Sequence, residues 1–174
     1  MLMIVYDLAY ARKSDLQNIV LDSANGDLVV SFRLANVFSS QMEEVILNGT
    51  PIIFTYFVEL YEVRDFWLDK KIMNIKIDHM LKYSVLKKEF AIKRSWEIDK
   101  VLITTSFAEA QNLMIEISSL RIIPYNWLEH DSRYQIGIKA ELSKGNLPLN
   151  LRSALFFSPS WGFETDWYLL DFNH

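Results

Sequence analysis

Three groups of side chains in this sequence have types and spacings that could do chemistry. Glu164 and Asp166 stand two residues apart near the C-terminus. On a strand they would point the same way, ~7 Å apart, a spacing that suits hydrolysis or a bound cation. Paired acids on a solvated strand face are commoner than either, and that bland reading is preferred. His79 lies between Ile77 and Leu81 on an alternating apolar run. It reads as a hydrogen-bonded core histidine before a base or a ligand. His130 sits in Glu129-His130-Asp131. Adjacent loop residues seldom converge on one ion, so no metal is expected there. His174 ends the chain and is expected to be mobile.

Tryptophans 67, 96, 127, 161 and 167 form the third group. Such rings can stack on sugars or grip a peptide. Trp67 and Trp127 fall in apparent turns, which makes them the better binding candidates. Trp161, Phe163, Thr165, Trp167 and Leu169 share one face of an extended run. An almost unbroken apolar face is expected of a core strand, bent at Gly162. On that reading Trp167→Ala is a core truncation that costs ~3–5 kcal/mol.

Several function classes find no support. The chain has no G-x-S-x-G elbow, no phosphate-binding glycine loop and no H-E-x-x-H. It has no cysteine, which removes thiolate zinc sites, disulfides and Cys nucleophiles. No cofactor is expected. Net charge is −4, and the cations come as scattered pairs such as Lys70-Lys71 and Lys87-Lys88. Nucleic acid is bound through clustered cations, so it is not an expected partner. No run approaches the ~20 apolar residues of a membrane helix. The opening apolar run is too short for a signal-peptide core and has no basic residue before it.

The elements that must position these residues follow from periodicity. In DLVVSFRL, Leu28, Val30, Phe32 and Leu34 share a face. Asn25-Gly26 before them suits a tight turn, so 17–34 reads as a hairpin. Ser40 and Glu43 fit a capping box, and Gly49 and Pro51 fit a stop, which predicts a helix over 41–48. The same stop is the structural reading of the Asn48-Gly49-Thr50 acceptor pattern. Pro51–Arg64 and the run around His79 read as long strands, and KKEFAIKRSW, DKVLITTS and RYQIGIKAELSK as three more. ALFFS and the tryptophan-rich tail close the chain. Ser106 and Glu109 open a second helix over 107–118, followed by an irregular stretch, RIIPYNWLEHDS. With 174 residues, 51% of them apolar, one domain over 1–174 is expected. Few short helices and many strands predict a mainly β fold: an antiparallel β-sandwich, Ig-like in the broad sense, with two short helical insertions.

SSQMEEVILNGTPIIFTYFVELYEVRDFW, DHMLKYSVLKKEF, SFAEAQNLM, YQIGIKAELSKGNLPLNL and LFFSPSWGFETDWYLLDF occur in this order from about Ser39 to Phe172. In them the chain resembles a bacterial, mostly proteobacterial, family of unknown function, numbered 4390. The resemblance implies a small periplasmic or envelope-associated protein, usually made with an N-terminal leader and often encoded near two-component sensor kinases. No leader is visible in this chain, which fits one that has been removed. The family brings no catalytic residues to carry over. The resulting expectation is an extracytoplasmic binding or accessory protein that engages a protein or peptide partner, through an exposed sheet edge and without catalysis. The alternative is a glycan- or lipid-binding module using Trp67 and Trp127. A hydrolase built on Glu164, Asp166 or His79 stands last.

Overall fold

In a computed structural model, which describes residues 14–143 and 162–174, two antiparallel sheets face each other. The smaller has the order β1 (Asp15–Ala24), β2 (Asp27–Ala35), β7 (Glu116–Pro124). The larger runs β6 (Val101–Thr104), β5 (Glu89–Arg94), β4 (Lys70–Ser84), β3 (Ile52–Val63), β8 (Arg133–Leu142), β9 (Tyr168–Asn173). Two short helices carry the chain from one sheet to the other: α1 (Ser40–Leu47) from β2 to β3, and α2 (Phe107–Ile115) from β6 to β7. The fold is therefore mainly β and sandwich-like, with the two helical insertions that periodicity predicts.

The core is built by alternation. Leu28, Val30, Phe32 and Leu34 point inward from β2, and Ile52, Phe54, Tyr56, Val58 and Leu60 from β3. Tyr134, Ile136, Ile138, Ala140 and Leu142 do the same from β8. The Phe32 and Tyr56 rings meet at 5.9 Å and join the two sheets across the core. Burial of these side chains, ~1.5–3 kcal/mol for each large one, is the main force holding the layers together.

Three local features differ from the sequence reading. The first concerns α1, whose N-cap is Ser39 rather than Ser40: the Ser39 side chain accepts from the Met42 N–H. Met42 then occupies the position where a capping box needs Glu, and its side chain goes to the core instead. Ser39→Ala is expected to cost ~1 kcal/mol and Ser40→Ala under about half of that in a urea unfolding comparison.

The second is that α2 stops at Ile115, and the predicted helical residues 116–118 open strand β7. The irregular stretch of the sequence reading therefore begins with four ordered strand residues of that element, Arg121 to Pro124. Its pattern was hidden by two register shifts against β2, with Ser119 in the left-handed region at φ 53°. Each bulge adds one residue and breaks period two. Ser106 caps α2 as expected, but Glu109 accepts from the Thr104 hydroxyl, which in turn accepts from the Ser106 N–H.

The third is the tail. Thr165 N–H donates to Ala140 O, and Ala140 N–H donates to the Thr165 hydroxyl oxygen. Farther along, Ile138 pairs with Tyr168. Two residues of β8 thus face three of the tail, and the extra residue turns the face over. Phe163 and Thr165 are buried, whereas Trp167 is 42% exposed and Leu169 55%. The expected core role of Trp167 is therefore incorrect. Its ring lies on the outer face of the sheet, over Gly137, where an added Cβ would come within 3.3 Å of it and of Leu169. Trp161 and the ALFFS run lie outside the described residues.

Candidate functional site

His79 is completely buried and faces the C-terminal end of α2. The last carbonyls of a helix have no partner within the helix. Here the large sheet supplies them. Tyr56 O–H donates to Met114 O at 2.6 Å, His79 Nδ1–H to the same oxygen at 2.8 Å, and Arg94 Nη2 to Leu113 O at 2.9 Å. The indole N–H of Trp96 donates to His79 Nε2 at 3.0 Å. A carbonyl only accepts and an indole N–H only donates, so both partners fix one neutral tautomer. Burial pushes the His79 pKa down to about 4, with the nearby Arg94 charge helping and the Met114 bond opposing. Burial likewise raises Tyr56 far above the ordinary phenol range. These groups fasten the helix to the sheet, with Tyr56 and His79 fully buried.

The acid pair is elsewhere. Glu164 bridges to Glu141 of β8 on the outer face of the large sheet, and its carboxylate accepts from Lys139 Nζ at 2.5 Å. Glu141 lies 4.0 Å from the same ammonium. The Glu164 bond raises the Lys139 pKa, and the Glu141 and Asp166 charges add to it. Glu164 thus pairs with a cation that the Asp166 charge also favours, on the opposite side of the sheet from His79. The three side chains proposed for hydrolysis do not share a pocket.

The remaining histidines form a shallow cleft of ≈ 840 Å³ with Tyr125, Leu128 and Glu129. His174, expected to be mobile, is tied by two backbone hydrogen bonds, to Asp131 and Ser132, and stacks on His130 at 4.8 Å. Among the described residues, no three His, Asp or Glu side chains stand together as metal ligands. No described helix is long and apolar enough to cross a membrane.

Two surface features of the β3–β4 hairpin stand out. The first is its tip. Phe66, Trp67 and Leu68 are 93%, 81% and 92% exposed, three consecutive large apolar side chains in water. Trp127 is also exposed, in the turn of 3-10 helix Tyr125–Trp127 that leads to β8. Val63, where the tip begins, pairs with Arg133, where β8 begins, so both tryptophans stand at the same end of the sandwich. The second is an edge. β3 covers one side of β4 from Lys70 to Leu81, but β5 covers only His79 to Ser84 on the other. The Asp78 carbonyl still accepts from Ser95 N–H. From Lys70 to Ile77, β4 has no second neighbour among the described strands. Asp78 turns its backbone groups toward the β5 side, so alternation turns those of Lys76 and Asn74 the same way.

Sequence reasoning picked out Trp67 and Trp127 and expected an exposed sheet edge without placing it, but missed Phe66, Leu68 and the exposure of Trp167. The apolar triplet between Asp65 and Asp69 was the available signal for Phe66 and Leu68. Nothing local marks an edge, because strand neighbours come from distant parts of the chain.

The family model described as Domain of unknown function (DUF4390) matches residues 11–171. The chain belongs to this family. The matched span takes in strands β1 to β8, β9 as far as Asp171, and both helices, and with them the α2 clamp, the hairpin tip and the open edge of β4. Neither the curated proteins nor the solved structures gave a match.

Proposed function

We propose that this family member is a binding protein without catalysis, which takes up an extended segment of a protein partner as an added strand on β4. The observation that carries this reading is the edge from Lys70 to Ile77, open among the described strands. Backbone donors and acceptors on such an edge pair readily with a second extended chain. The edge is long enough for the purpose, since an eight-residue stretch matches or exceeds an ordinary strand. Met73, Ile75 and Ile77 line its inner side half-buried or buried, and can pack against alternate side chains of a guest strand. Placement outside the cytoplasm, as the family resemblance implies, goes with this reading and adds a source of partners in the envelope.

The test uses the alternation. Lys76 N–H points away from β3, so Lys76→Pro removes an edge donor and leaves the β3 ladder intact. Its folding cost is expected to stay near 1 kcal/mol. In pull-downs from envelope extract, wild type should recover a reproducible protein that the proline variant loses. Amide exchange at Asn74 and Lys76 should slow in the isolated complex. Recovery of the same proteins by both forms, or of no reproducible partner, would overturn the assignment.

A further inference from the structure

The hairpin tip calls for a different kind of target. We infer that Phe66, Trp67 and Leu68 insert into the interfacial layer of a charge-neutral phospholipid surface, with Trp127 as a second contact from the same end. Residue chemistry is the first argument. Trp settles where an apolar body meets a wet edge, and Phe and Leu favour the acyl boundary just below. A soluble fold gains nothing by holding three such side chains in water side by side.

Shape is the second argument. Exposures of 93%, 81% and 92% on consecutive residues mean that no neighbouring side chain walls them in. Among the described residues, side chains this exposed project from the surface instead of lining a recess. A lipid interface accommodates a convex apolar tip without a matching pocket, whereas a protein partner would have to supply one.

Charge selects the lipid. Around the tip stand Arg64, Lys70, Lys71 and Arg133, and against them Glu59, Glu62, Asp65 and Asp69. Arg64 and Lys70 pair with Glu62, Lys71 with Glu59, and Arg133 with Asp65. Asp69 accepts from the Arg64 backbone N–H. Four charges of each sign leave no net cation cluster to be drawn to anionic headgroups, in contrast to a polybasic membrane anchor. The collar of pairs sits where headgroups and water meet, with the apolar triplet beyond it.

Flotation with phosphatidylcholine vesicles tests the assignment. Wild type should float with them, and neither added phosphatidylglycerol nor high salt should change the bound fraction by more than about twofold. The variant carrying Phe66→Ser, Trp67→Ser and Leu68→Ser should bind at least about tenfold more weakly. Its urea midpoint should match wild type, because the tip contributes no core contact. Lys76→Pro should float as wild type does, which separates this inference from the strand-addition reading. Absence of flotation, equal binding by the triple variant, or binding only to anionic vesicles at low salt would overturn it. So would loss, in the triple variant, of a protein partner that binds wild type without lipid.

Discussion

Wild-type protein is expected to lose about 3 kcal/mol of stability between pH 6.5 and pH 4, and His79→Phe to remove most of that dependence. In the fold, His79 is buried and neutral, with a pKa near 4 against an ordinary value of 6.5. Within that window the unfolded chain takes up a proton that the folded one refuses. The contribution is therefore complete above pH 6.5, declines as pH falls through the window, and is fully lost below about 4. Protonating Nε2 in place would set a donor against the Trp96 N–H donor, so the fold has no cheap way to accept the charge. Carboxylates also titrate below about pH 5, in both proteins, and the comparison with His79→Phe subtracts them. At pH 7 the variant should itself be less stable by roughly 2–4 kcal/mol, since it strands the Trp96 N–H and loses a bond to Met114. Urea unfolding followed at several pH values checks both statements. Equal slopes for the two proteins between pH 5 and 6.5 would show that His79 does not sit neutral in the clamp.

The second large effect separates two aromatic residues four positions apart. Phe163→Ala should cost ~3–5 kcal/mol, because Phe163 is 8% exposed and its ring meets Phe54 edge-on at 4.7 Å. Trp167→Ala should cost only about 1 kcal/mol, since much of the ring is already in water and its contact is with Gly137 on the outer face. Denaturant midpoints of the two variants give the ranking directly. A reversed order would mean that the strand continues without its extra residue and keeps Trp167 inside. The same extra residue sets Leu169 outward and Leu170 inward, opposite Ile136.

Much of this architecture was legible because the relevant physics is local. Alternation in DLVVSFRL and Ile75–Tyr83 assigns faces in β2 and in most of β4, and Asn25-Gly26 supplies the positive φ of the turn between β1 and β2. Ser106 marks the start of α2 because an N-cap satisfies backbone donors only three residues away. The failures share a cause as well. A single bulge shifts period two by one, and neither Ser119 nor the tail around Asp166 announces the insertion in its residue type. The end of α2 was overextended because Ile115 and Ile117 fit a helix and a strand equally well; the pairing with β2 decides between them.

The candidate sites follow the same division. The sequence by itself determined a mainly β chain with two capped helices, the core faces of β2, β3, β4 and β8, a buried role for His79, and Trp67 and Trp127 as turn residues. These properties rest on spacing along a few residues. Only the tertiary structure decided that Tyr56, His79 and Arg94 meet the carbonyls of α2, that Glu164 pairs with Lys139, and that β5 ends short and leaves Lys70 to Ile77 open among the described strands. Each of these depends on which distant segment becomes a neighbour, and that choice is made by packing of the whole core, which no local pattern encodes.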